Sequence, residues 1–168
     1  CSTSAHCIGA GMEQIQMGKQ DRVFAGGAEE EHWSMACLFD AMGALSSKRN
    51  ATPELASRAY DADRDGFVIA GGGGMLVLEA LDVAQARCAR IYAEVAGCAT
   101  ASDGTRVTRR EEETMRIVME LALQSAGLGV SSIRVLASSL PITVVSVPAE
   151  VAKNLGPPFV ATTIPAST

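Results

Sequence analysis

The chain has 168 residues, 48% of them hydrophobic and only 4% aromatic, enough for one ordinary domain with a buried core. A formal net charge of −5, with no basic cluster larger than Arg109-Arg110, argues against a nucleic-acid surface. The longest apolar run, FVIAGGGGMLVLEA, is too short and too rich in glycine for membrane insertion, and Cys1, Cys7, Cys37, Cys88 and Cys98 lack the C-x-x-C spacing of a zinc knuckle or a disulfide framework, so a reducing, cytoplasmic setting is expected.

From Ser4 to about Lys19 the residues Ala5, Ile8, Met12 and Ile15 recur at helical spacing, with Ser2, Thr3 or Ser4 available as N-cap and Gly18 as a stop. A first helix therefore starts directly after Cys1. The stretch from Asp21 to Glu29 reads as a short buried strand whose glycines admit close packing, and Glu29 to Ala44 as mostly helical, with Trp33, Met35, Leu38, Phe39 and Met42 on its apolar side. After a polar loop, FVIAGGGGMLVLEAL reads as two strand-like runs hinged on four glycines. Leu81 to Arg90 is a short helix, and IYAEVAGCA a strand in which Ile91, Ala93 and Val95 alternate against Tyr92 and Glu94. Thr108 to Glu111 forms a capping box before a helix with Met115, Val118 and Leu121 on one face and Gly127 at its end. Beyond it, IRVLA is a strand, SLPITVVSVP is extended, PAEVAKNLG opens a helix with proline at its first position, and PPFVATTIPAST contains a last strand.

Three segments invite a functional reading. Cys1 precedes a helix N-terminus, where unsatisfied amides and the macrodipole lower a thiol pKa and favour the nucleophilic thiolate; the alternative is a small buried hydrophobe. The second segment, DADRDGFVIAGG, imitates the opening of a calcium loop, but its twelfth position is Gly72 where a bidentate Glu is required, so a solvated acidic loop is the better account. GGGG at 71–74 precedes a strand-like run, without the G-K-[ST] and helix of a phosphate cradle. His6 and His32 lack partners at metal spacing and read as capping or packing residues.

The block CSTSAHCIGAGMEQIQMGKQDRVFAGGAEE, then MACLFDAMGALSSK, then TPELASRAYDADRDGFVIAGGGGMLVLEAL closely resembles the middle of a β-ketoacyl-acyl carrier protein synthase of the fatty-acid-elongating kind. The likeness runs from Cys1 to about Gly104, with the blocks in the family's order and spacing. It implies an α/β, partial thiolase-like fold, layered α-β-α-β-α and incomplete at both ends. Residues 1–104 would be the second part of its N-terminal half and residues 105–168 the start of a divergent C-terminal half. By resemblance Cys1 is the acyl-accepting nucleophile, Met35 and Phe39 line the acyl pocket, Phe67 stands near its mouth, and Glu150 falls on an active-site glutamate; each pocket position also has a plain core reading.

The distal part departs from the family pattern. Ser139 stands at the place of the first catalytic histidine, Thr163 at that of the lysine and Thr168 at that of the second histidine; no histidine follows His32. The resemblance implies condensation of a fatty acyl thioester with a malonyl thioester on acyl carrier protein. Loss of carbon dioxide supplies the carbanion, so neither metal nor redox cofactor is implied. It also implies a homodimer and an acidic carrier protein as partner. Two other readings stay open: a catalytically silent, chain-length-factor type of subunit that binds acyl chains or a partner, and an N-terminal-nucleophile hydrolase using the α-amino group of Cys1 as base.

Overall fold

The computed structural model describes residues 2–104, 111–130, 142–146 and 162–164. The chain divides into two compact units, one of residues 1–27 with 74–168 and one of residues 28–73.

The first unit is built on a sheet. Strands β1 (Arg22–Glu29), β2 (Gly72–Ala80), β3 (Ala93–Ala99), β4 (Ile142–Ser146) and β5 (Thr162–Ile164) lie in the order β1-β2-β5-β3-β4. The last of these in sequence is thus the central one. It runs parallel to both neighbours, with Leu78 opposite Thr162 and Ala93 opposite the same residue on the other side, whereas β4 closes the far edge antiparallel to β3.

Two long helices cover this sheet. Helix α1 (Thr3–Gln16) buries Met12 and Ile15 against Ala25, Leu78, Ala80 and Val95, as its helical spacing requires. Gly9 allows the approach: a Cβ there would stand 2.5 Å from the Cys98 sulfur. Helix α4 (Glu112–Ala126) packs on β3 and β4 through Val118 and Ala122, beside Ala99. Cys98 faces α1 while its neighbours Gly97 and Ala99 face α4, so the helices take opposite faces of the sheet. Gly127, at φ +65°, ends α4 in the left-handed conformation that favours glycine. The short α3 (Leu81–Ala86) leads out of β2.

Among the described residues Glu79 is the buried charge of this unit, its side chain 4% exposed. Its carboxylate accepts from Arg22 Nε at 2.6 Å, and from Arg87 Nε at 2.9 Å and an Arg87 terminal nitrogen at 2.6 Å. Hydrogen bonding to Arg87 first, and then to Arg22, outweighs desolvation and holds the carboxyl at about 2.

The second unit contains α2 (Trp33–Ala41) and a single 3₁₀ turn at Pro53–Leu55. Its apolar residues remain open in the chain: Trp33, Leu38 and Met42 are all exposed.

Several expectations need correction. FVIAGGGGMLVLEAL is one strand, not two, because Gly72 to Ala80 is continuous and Phe67 pairs instead with Leu45 in an isolated parallel bridge. The segment RVFAGG is a strand but not a buried one: Ala25 is buried and Phe24 is 75% exposed. Helix α4 takes Glu111 as its N-cap, without a side-chain cap bond, and Thr108 lies outside the described residues. Leu121 is exposed, and the buried stripe is Val118, Ala122 and Leu123. The expected IRVLA strand and the helix beginning at Pro148 lie outside the described residues.

Candidate active site

The N-terminus of α1 is the first feature. Ser2 is its N-cap, at φ −101° and ψ 9°, and its side chain makes no cap bond; the first turn carries no acidic residue. With no cap bond from Ser2, the amides of that turn can donate toward an anion lying beyond the helix end. The helix itself is fixed to the sheet. A Cβ at Gly27 of β1 would lie 2.8 Å from the Ser4 Cβ, and one at Gly11 would lie 2.8 Å from a methyl of Leu78. Cys1, next in sequence before Ser2, lies outside the described residues, as does Glu150.

The three expected pocket residues belong to the second unit. Met35 and Phe39 sit one turn apart on α2, hence on one face; Met35 is half-buried. Phe39 meets Phe67 edge to face, with ring centroids 5.6 Å apart and planes at 75°, a favoured aromatic geometry. The structure therefore brings two of the three together across a long stretch of chain.

Backbone pairing creates that meeting. Gly43, at φ +65°, ends α2 and the Ala44 amide returns to the Phe39 carbonyl at 3.0 Å. The Phe67 amide then donates to the Ala44 carbonyl at 2.8 Å, and the Ser46 amide to the Phe67 carbonyl at 2.9 Å. Gly66 has φ +149° and lies against the backbone of Leu45 and Ser46, leaving no room for a side chain.

Asp65 was missed as a site-building residue by the acidic-loop reading. One carboxylate oxygen accepts from the Ser46 hydroxyl at 2.7 Å, and the other from the Ser47 and Lys48 amides at 2.9 and 2.8 Å. These bonds, led by that from Ser46, hold its carboxyl at about 2. Asp61 accepts from the Asp63 amide at 2.8 Å and from Arg58 at 3.0 Å, which lowers its pKa. Asp61 is thus committed to its own loop, and Asp65 to the segment that follows α2. The signal in the sequence was the juxtaposition of Asp65 with Gly66, a carboxylate beside a glycine that another strip of backbone approaches.

His32 caps α2: its Nδ1 accepts from the Ser34 amide at 3.3 Å and lies 2.8 Å from the Ser34 hydroxyl. His6 is exposed on α1. Of the distal positions, Thr163 lies in central β5, paired in register with Glu79 and Glu94, while Ser139 and Thr168 lie outside the described residues. Among the described residues, no cluster of His, Cys, Asp and Glu could hold a metal ion, and no helix is long and apolar enough to cross a membrane.

An α/β sheet flanked by helices, with a cysteine directly before an uncapped and sheet-anchored helix, is the arrangement of a thiolase-like acyl-transfer fold. The model of the beta-ketoacyl synthase N-terminal domain matches residues 1–84, and the chain belongs to the beta-ketoacyl synthase family. It is 55% identical over 142 residues to 3-oxoacyl-[acyl-carrier-protein] synthase 1 of Escherichia coli, covering 84% of this chain and 35% of that protein. Among solved structures it is similar to a beta-ketoacyl synthase from Burkholderia phymatum, with a TM-score of 0.74, 42% identity, and coverage of 79% of this chain and 32% of the other. It is also similar to a chain in the complex of a type II PKS acyl-carrier protein with its ketosynthase bound to the hexaketide, with a TM-score of 0.75 and 34% identity over 79% of this chain and 33% of that one. The chain spans about a third of the length of the curated relatives it matches.

Proposed function

We propose that the protein is a ketosynthase of fatty-acid elongation that carries its acyl group on Cys1. The observation that carries this reading is the uncapped N-terminus of α1, with no acidic side chain in its first turn, directly after the cysteine that the resemblance implies to be the nucleophile. The helix amides favour the thiolate and can donate to the oxyanion that forms when it attacks.

In the first half-reaction the Cys1 sulfur attacks the acyl thioester carbonyl. A new C–S bond forms, the old one breaks, and the carrier thiolate leaves and takes up a proton. In the second, the C–C bond to the malonyl carboxylate breaks, carbon dioxide leaves, and the enolate carbon attacks the Cys1 thioester and expels the Cys1 thiolate. Met35, Phe39 and Phe67 line the path of the acyl chain, and Glu150 supports the distal site.

Donors that stabilise the enolate are worth on the order of 2.7–4 kcal/mol each, so loss of both histidines, if Ser139 and Thr168 hold their places, would slow condensation while acyl loading onto Cys1 does not call on them. The partner on this reading is an acyl carrier protein, supported by the neighbouring ketosynthase complex with such a carrier. The protein works as a cytoplasmic homodimer, with the boundary between its thiolase-like halves near residue 104. The names of the relatives favour the synthase over the silent subunit.

Intact-mass spectrometry after incubation with a fatty acyl donor on acyl carrier protein tests the proposal, with Cys1→Ala as control. An acyl adduct present in the native protein and absent from the variant is expected. A folded native protein that acquires no adduct would sink the synthase reading.

A further inference from the structure

We infer that Asp65 is a positioning residue for the acyl pocket: its carboxylate fastens the segment after α2 to the turn before Phe67 and so sets the Phe67 ring against Phe39. The inference rests on the pocket role proposed above for Phe39 and Phe67.

Two strips of chain, 43–48 and 65–67, come together in the second unit. The Phe67 amide and carbonyl both bond to the first strip, and Gly66 is pressed against its backbone. One pair of backbone bonds alone is an isolated bridge, which a rotation about either strip can open. Asp65 adds three further bonds, to Ser46, Ser47 and Lys48. Two of the donors are backbone amides, so the carboxylate fixes main chain rather than a movable side chain. It remains ionised far below neutrality because these same donors hold its pKa low.

The consequence falls on Phe67. This residue is 47% exposed, and Phe39 is the aromatic partner of its ring. Little core packing holds it in place. Its orientation therefore depends on the backbone on either side, and the Asp65 bonds begin two residues before it. On that pocket role, an acyl chain long enough to meet the aromatic pair reports the position of its ring, and an acetyl group does not. Misplacement of a positioning element by an ångström costs on the order of a hundredfold in rate, and a smaller shift of one ring on the order of tenfold.

The test compares rates of Cys1 acylation from acetyl, octanoyl and dodecanoyl donors on acyl carrier protein, read by intact mass, in the native protein, Asp65→Asn, Asp65→Ala and Ser46→Ala. Asp65→Ala is expected to slow octanoyl and dodecanoyl loading by about tenfold or more with acetyl loading within about twofold of native. Asp65→Asn keeps the shape and an acceptor oxygen, and should recover part of the rate. Ser46→Ala removes one bond of the three and should give a smaller, chain-length-dependent loss; it also serves if Asp65→Ala does not fold. Equal slowing of all three donors would show a merely structural role and overturn the inference, as would unchanged rates. If the native protein loads no donor at all, the nucleophile reading has failed and takes this one with it.

Discussion

Replacing Glu79 with Gln removes one negative charge from a site where two guanidinium groups converge on a carboxylate that is 4% exposed. The native carboxyl is held at about 2 against an ordinary value of 4.5. That difference corresponds to at most ~3.4 kcal/mol of stability at neutral pH, and because both arginines are half exposed and partly screened by water, about 2 kcal/mol is the expected loss in Glu79→Gln. The pH dependence follows from the depressed pKa. The stabilisation is fully present above the unfolded value near 4.5 and disappears as pH falls through the folded value near 2. Urea unfolding of both forms across that range should therefore show a gap of about 2 kcal/mol that closes on acidification. Arg87 makes more bonds to Glu79 than Arg22 does and dominates the shift, so Arg87→Ala should raise the carboxyl further than Arg22→Ala. A gap that stays constant from neutral pH to about pH 2, or widens on acidification, would refute the assignment of the stabilisation to this ion triad.

Gly97→Ala is expected to destabilise by about 3 kcal/mol, because a Cβ there would stand 2.6 Å from the Ala126 amide nitrogen and 2.8 Å from the Ala122 carbonyl oxygen, which are main-chain atoms of a packed helix; the thermal midpoint reads it. Gly127→Ala meets nothing within 4 Å, so its cost is conformational alone, about 1 kcal/mol in the same assay, and a loss as large as that of Gly97→Ala would contradict the geometry. His32→Ala removes the side-chain cap of α2, which accepts from the Ser34 amide, and should cost ~1 kcal/mol, measured by chemical denaturation.

What the sequence disclosed was mostly local. Ile8, Met12 and Ile15 mark the inward stripe of α1 because helix period and burial coincide there, and Gly127 ends α4 because a left-handed cap asks for glycine. Misreadings came from partners distant in the chain. The strand-like run after Phe67 failed to become a strand because the Phe67 backbone is claimed by Ala44 and Ser46, far earlier in the sequence. The same distance hid Asp65, whose donors lie 17 to 19 residues away and whose surroundings read as an acidic loop. Strand order was equally illegible: nothing in TTI announces that it sits between β2 and β3, since a short run of moderate strand character fits an edge or a centre equally well. The resemblance marked Cys1, Met35, Phe39 and Phe67 by motif; Met35 and Phe39 share a face of α2, and the observed geometry brings Phe67 against Phe39.

On the proposed reading the two half-reactions draw on different parts of the chain, and that separation explains how a protein can keep one without the other. Loading needs a thiolate, amides to hold an oxyanion and room for the acyl tail; the helix end and the Phe39–Phe67 pair lie within residues 1–84, where the family model matches. Condensation needs donors for an enolate, and by the resemblance the positions that would supply them fall after Val130, with Ser139 and Thr168 at the places of the family's histidines. A hydroxyl can donate one hydrogen bond to an enolate oxygen but carries no charge near neutral pH and holds no fixed direction, so it stabilises developing charge less than an imidazole locked by a partner.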